Sequence, residues 1–528
     1  MHGTARRASD GDMRGERSRR EVTRAAACWL KALVPALIFA GSLFAQHRVF
    51  TPLDSSVVED SVQELSALAD WCRSERLYCR QQRVLAFVLE LDPDNVPARR
   101  KLGCHRIGGE WKQSSGWRAA RDYRPAAIPE AQRRVRELLV PLRQPFLEDL
   151  QAHPEGLRRE SAQRTIRALL ELDPDDAVLR AMIGETRFEG EWVLVESART
   201  VVRRKSLAAD IAKAREHAPS ALDQPVPEEL ADWPVNWSVS VRTLGLELVG
   251  TVPKDEGRTV AADLQSLART FELAFGVPGK HRDGLRVMLF TGYGERDVAL
   301  NQLDLPPTVR RHLGSAAGGW LGSGQRLAEW DGSVQRRRDG AARQVLGTML
   351  MDRFGIDGGH AWAWEGLGLY LIHLQLGTRG TWFYQGSGYQ PVADALSWSM
   401  AQDPASDWHA LTRVLLTDPN GLQVHFLLGR PLNSMTSQDL VCSYTLAAYL
   451  LEGWPDRAPQ LLTALGRGEH PVLAFERELG FPITTIDQRI VRWIDESQAL
   501  CAGLRTDGKP RDKSPTGSRE SKRETAKR

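Results

Sequence analysis

Cysteine is scarce in this 528-residue chain, with six in all and no C-x-x-C spacing, which argues against a cysteine-held zinc ribbon or a thioredoxin-type redox centre. No His-Glu-x-x-His occurs among the twelve histidines, so the usual helix-borne zinc-hydrolase motif is absent. No apolar run reaches the roughly 20 residues of a comfortable membrane span. Charge of either sign is nearly balanced, at +3 overall. That balance argues neither for nor against a polyanionic partner, and no specific nucleic-acid interaction is expected. What is present in quantity is hydrophobic sequence, 42% of the chain, enough for two to four domains with real cores.

The start of the chain reads as an export signal. Arg14, Arg17, Arg19, Arg20 and Arg24 precede an apolar run from Ala32 to Ala45, the order of a basic and then a hydrophobic region in a leader. Residues 1–46 are expected to be a signal peptide or N-terminal anchor, and the body to be exported: periplasmic, at the cell envelope or secreted. A membrane contact is expected only through this segment if it stays uncleaved. Loss of Cys28 with the leader would leave Cys72, Cys79, Cys104, Cys442 and Cys501, an odd number expected to be buried thiols with at most one disulfide.

Residues 47–230 read as helical and internally repeated. Glu90-Leu-Asp-Pro-Asp recurs as Glu171-Leu-Asp-Pro-Asp, and Gly109-Glu-Trp111 as Gly190-Glu-Trp192, at a constant offset of 81 residues. Each unit is expected to hold an amphipathic helix (80–91 and 160–172), a stop and restart at Asp-Pro-Asp, a short helix, and a Gly-centred turn. Aspartate as a cap and proline in a first helical turn explain the motif without a ligand. The units resemble tetratricopeptide-type helix pairs, although the Gly-Glu-Trp element does not belong to that repeat.

After a proline-bearing stretch the pattern changes. Residues 237–252 alternate as strands do, 259–275 have helical period, 285–291 form a second strand, and a helix follows near 296–303. Gly318-Gly-Trp-Leu-Gly322 and Gln325–Trp330 suggest a hairpin or edge strand. Beyond Tyr370 the chain reads as helical, with helices expected at 391–400, 408–416, 437–451, 458–465, 471–479 and 486–495. From Arg505 onward nine basic and four acidic residues remain with almost no apolar ones, so 505–528 is expected to be a disordered basic tail.

The string Trp362-Ala-Trp364-Glu365-Gly366-Leu-Gly-Leu-Tyr370 resembles the helix that supplies the glutamate ligand in gluzincin-type zinc peptidases (peptidase MA-like). The resemblance implies an α+β fold: an N-terminal helical repeat region, then a gluzincin-like domain with a small mixed sheet and helices (235–390) and an all-helical C-terminal subdomain (391–504). It implies Glu365 as a vestigial metal ligand. Set against Ala341–Phe354, it puts Val345, Leu346, Gly347, Thr348 and Met349 on the five positions of His-Glu-x-x-His, so both imidazoles and the general base are replaced. It also places Gly318, Gly319 and Trp320 on an edge strand beside a substrate cleft, with Trp364, Ser443 and Tyr444 nearby.

A catalytic zinc needs three protein ligands and an open position. Val345 offers no lone pair, and one thioether at Met349 is too weak a donor alone. The expectation is therefore a catalytically inactive metallopeptidase-like protein with a peptide or protein partner and no cofactor. One alternative is an active zinc peptidase using Glu365 with His360 or His373. Another is a docking module in which the helical repeats carry the function.

Overall fold

The computed structural model describes residues 55–505, apart from 115–119, 154–155, 157–159, 282, 316–317, 322–325, 330–332, 380–402 and 404. The leader expected at 1–46, the disordered tail expected beyond Arg505 and the helix expected at 391–400 lie outside the described residues. The architecture is α+β, mostly helical with small sheets. It divides into two compact units, one ending at Ile183 and one beginning at Gly184.

In the first unit, α1 (Ser55–Ser74) and α2 (Tyr78–Leu91) pair with α4 (Ile128–Ala152) and α5 (Glu160–Leu172). On α1, Leu65, Leu68, Ala69 and Cys72 recur at helical spacing and are all buried with Val84, Leu85 and Val88 of α2. Asn95 caps the short α3 (Val96–Lys101) by accepting from the Ala98 N–H, with Pro97 in its first turn. Asp176 caps α6 (Ala177–Met182) from the Val178 and Leu179 N–H groups. Strands β1 (Cys104–Ile107) and β2 (Glu110–Gln113) form a hairpin, and 81 residues later so do β3 (Glu185–Phe188) and β4 (Glu191–Leu194). The two Asp-Pro-Asp segments thus lead through the same succession of helix, short helix and hairpin. The boundary between the units falls within the second succession.

The second unit is built on a six-stranded sheet in the order β5-β6-β7-β8-β10-β9. These strands are β5 (Leu222–Asp223), β6 (Val239–Thr243), β7 (Leu246–Gly250), β8 (Leu285–Leu289), β9 (Gly318–Leu321) and β10 (Arg326–Glu329). β7, β8 and β10 run parallel; β5, β6 and β9 are antiparallel to their neighbours. Period-two alternation sends Val239, Val241, Leu246, Leu248, Val287 and Leu289 to the main core. It sends Val249 and Met288 to a smaller core with Ala299 and Leu300 of α10 (Tyr293–Asn301). Between β5 and β6 the chain forms the short α8 (Glu228–Ala231), and between β8 and β9 it also forms α11 (Pro307–Ser315). On the main face lie α9 (Lys254–Phe275) and α12 (Val334–Phe354). Burying a leucine or phenylalanine such as Leu264 or Phe271 there contributes about 1.5–3 kcal/mol each.

The C-terminal helices are α13 (Ala361–Leu376), α14 (Trp408–Thr417), α15 (Val424–Leu428), α16 (Ser437–Ala448), α17 (Ala458–Gly466), α18 (Pro471–Leu479) and α19 (Ile486–Arg505). The expected break near 230–235 does not divide the units, because α7 (Val195–Glu216) belongs with these helices. Glu196, fully buried, accepts from Arg489 at 2.7 Å and from the Tyr449 hydroxyl at 3.0 Å, and the Trp493 indole donates to Thr200 at 2.7 Å. The five described cysteines are all free. Among the described residues no helix is long and apolar enough to cross a membrane.

Candidate functional site

Helices α12 and α13 lie side by side, both with buried polar residues where they meet. Glu365, with no exposed surface, accepts a hydrogen bond from the Arg343 guanidinium, which is 6% exposed. An arginine carries a permanent positive charge, so the carboxylate of the Trp-Glu-Gly string faces a cation supplied by its own chain. Glu365 Oε1, Arg343 Nη1 and Ser443 Oγ are buried without hydrogen-bond partners. One turn before Arg343, Asp339 accepts from Gln335 at 2.7 Å and from Thr378 at 2.8 Å. Burial raises the Asp339 carboxyl above the usual range, against hydrogen bonds from Thr378 and Gln335 and the charges of Arg338 and Arg343.

The residues flanking Glu365 explain themselves by contact. A Cβ at Gly347 would lie 2.5 Å from the Trp364 ring, so the indole rests on the helix surface that Gly347 leaves bare. A Cβ at Gly366 would overlap the Ser443 carbonyl oxygen, so glycine is what lets α13 approach α16. Arg343 and Gly347, four residues apart, therefore form the face of α12 that meets Trp364 and Glu365.

Val345, Leu346 and Met349 are buried in the main core. At about 100° per residue, Val345 and Met349 stand on the far side of α12 from Arg343 and Gly347. Met349 lines a cavity with Phe271, Pro278 and His281 instead. Of the five positions assigned by the resemblance, Gly347 faces Trp364, whereas Val345 and Met349, the two set on the histidines, are turned away from Glu365.

The two substitute histidines are engaged elsewhere. His360, at the start of α13, bonds Asp357 through Nδ1 at 3.1 Å and the Leu465 carbonyl through Nε2 at 3.0 Å. His373 Nδ1 and the Tyr444 hydroxyl are hydrogen-bonded at 2.6 Å. Burial, assisted by Arg379, lowers the pKa of His373. Tyr444 packs edge-on against Tyr370 and Trp408. Tyr370 in turn donates to Glu452 at 2.6 Å, which also receives Arg204. Among the described residues, no group of three or more His, Cys, Asp or Glu side chains is placed to hold a metal ion.

Gly318, Gly319 and Trp320 lie in β9, the last strand in the sheet order, paired with Glu329, Ala328 and Leu327 of β10. The Trp320 side chain is outside the described part of the structure.

Arg343 and Asp339 are the residues that reading the sequence missed. A signal existed: Arg343 and Gln344 are polar residues inside a stretch that is otherwise small and apolar from Gly340 to Leu350 apart from Thr348. No family model matches this chain, and neither a curated protein nor a solved structure is detectably similar to it.

Proposed function

We propose that this is an exported, non-hydrolytic metallopeptidase-like protein that binds a peptide or protein at the cell envelope. The Arg343–Glu365 pair carries the reading. If Glu365 descends from a gluzincin metal ligand, the register that brings the earlier helix to it is Arg343-Gln344-Val-Leu-Gly347. A guanidinium then takes the place of the first imidazole and of the metal's charge, a carboxamide replaces the general base, and the second imidazole is lost to Trp364. Zinc binding at Glu365 would have to displace the guanidinium, and breaking such a buried pair is costly. The element order supports the same resemblance: the β6–β7 hairpin, α9, β8, α10 with the additional α11, then the β9–β10 hairpin before α12. Among the described residues β9 has a neighbouring strand on one side only, which suits an extended peptide added as a further strand.

The partners of His360 and His373 weaken the active-enzyme alternative, since neither ring is directed to Glu365 by its hydrogen bonds. A second reading, helical repeats as a docking module, draws on the matching successions at the 81-residue offset. Repeat units of this kind bury their apolar faces only by stacking. The test is a zinc titration of the purified chain alongside a peptide-hydrolysis assay. The proposal expects neither stoichiometric zinc nor turnover; one zinc per chain, lost in Glu365→Gln together with hydrolysis, would restore the enzyme.

A further inference from the structure

The two hairpins 81 residues apart are built alike but are not covered alike. Both close with the same backbone bond, Ser114 N–H to the Gly103 carbonyl at 3.0 Å and Val195 N–H to the Gly184 carbonyl at 2.9 Å. Both glycines are left-handed, at φ +77° and +76°. The registers are identical, with Cys104 opposite Gln113 in the first and Glu185 opposite Leu194 in the second. In the second copy Glu185, Val193 and Leu194 are buried, and α7 and α19 pack on the strands. In the first copy His105, Ile107, Glu110 and Lys112, which share one face, are all exposed.

What α19 does at the second hairpin is specific. The closing bond makes Glu185 and Leu194 a non-hydrogen-bonded pair of the ladder, so the Leu194 N–H points outward. It donates to the Glu496 carboxylate at 2.9 Å. Arg492 pairs with Glu185, and the Arg489 guanidinium lies 2.9 Å from where a Cβ at Gly184 would be. By the same register the Gln113 N–H of the first hairpin also points outward. Among the described residues no carboxylate receives it.

The exchanges between the copies define what would fit there. Cys104 stands in place of Glu185 and removes the acceptor for an arginine, while Lys112 in place of Val193 adds a cation. Residues 99–113 carry five Arg or Lys against one Glu, whereas residues 180–194 carry two against three. Lys112 is in no ion pair among the described residues. Ile107, 57% exposed, supplies an apolar contact near the tip.

We propose that the β1–β2 hairpin receives an amphipathic helix of a protein partner, one that keeps the carboxylate of α19 and lacks its arginines. One acidic side chain accepts from the Gln113 N–H, a second lies beside Lys112, and apolar side chains cover Ile107. The surface is separate from β9 and from the Arg343–Glu365 pair, and it stands whichever way that pair is read.

The probe is a fluorescently labelled peptide of residues 486–500, the covering helix itself, carrying Arg489→Glu and Arg492→Glu and titrated with the full chain by anisotropy. The expected result is saturable binding with Kd below about 100 μM, at least about tenfold tighter than for the unsubstituted peptide. Lys112→Glu and Ile107→Asp in the chain, both at exposed positions, should each weaken binding about tenfold, as should Glu496→Gln in the peptide. No saturable binding up to about 1 mM overturns the inference. So does binding that Lys112→Glu leaves unchanged, because the peptide is then held elsewhere. Sedimentation of the chain alone tests the other occupant: a concentration-dependent dimer dissolved by Lys112→Glu would assign the face to a second copy and overturn the partner helix.

Discussion

At the scale of single residues, Arg343 and Glu365 are each other's reason for being tolerated in the core. Removing one partner leaves an uncompensated buried charge. Arg343→Leu is expected to cost about 3–5 kcal/mol in chemical denaturation, whereas Arg343→Leu with Glu365→Leu should recover most of that loss. Equal destabilisation of the single and double variants would show that the pair is not the cause.

The Trp-Glu-Gly string is legible in the sequence, but the α12 residues that meet it, Arg343 and Gly347, lie two residues before Val345 and Met349, the positions the resemblance sets on the histidines. A two-residue difference turns a helix by about 200°. The consequence is testable. Histidines at Val345 and Met349 with glutamate at Leu346 should not create a zinc site that depends on Glu365. Histidines at Arg343 and Gly347, with Trp364→Ala to make room, should do so. Zinc titration by calorimetry distinguishes the two, and the opposite ranking would refute the face assigned to α12.

At the scale of elements, helical and strand periods made most of the second unit readable, and α18 matches the expected span at Pro471–Leu479. The end of α16 was not readable. A helix was expected through Leu451, but the chain leaves the α-form after Ala448 and makes a π-turn over Tyr449–Gly453. That turn sets Glu452 between Arg204 and Tyr370, a demand from distant residues that no local pattern announces. The start of the same helix is a capping box, in which Thr436 accepts from the Asp439 N–H and Asp439 from the Thr436 N–H. Thr436→Ala should therefore cost about 1 kcal/mol. Gly366→Ala, which wedges α13 from α16, should cost about 1–3 kcal/mol or more. Thermal or urea unfolding measures both; a neutral Gly366→Ala would mean that the two helices are not in contact there.

At the scale of the whole molecule, the division between units escaped the sequence because what holds α7 is remote. Glu196 and Arg489 are 293 positions apart, and composition changes at the prolines after Ala218 instead. The molecule also carries an acid-sensitive element. Burial lowers His409 to about 3, with Arg204 adding to the shift, and His281 to about 4. The unfolded chain protonates both near pH 6.5, so between that pH and the folded values it binds more protons than the native state. Stability should fall as pH drops from about 6.5 toward 4, by up to about 1.4 kcal/mol per pH unit for each histidine. Replacing His281 with phenylalanine should remove one proton from that slope in urea unfolding measured at pH 4.5–6.5. An unchanged slope would show that His281 titrates normally.

If the proposal holds, the Arg343 guanidinium stands where a gluzincin-type protein would hold its metal. Metal content of the purified full-length chain after dialysis against zinc is the decisive measurement. No zinc whose retention depends on Glu365 is expected, and one zinc per chain that disappears in Glu365→Gln would overturn the proposal.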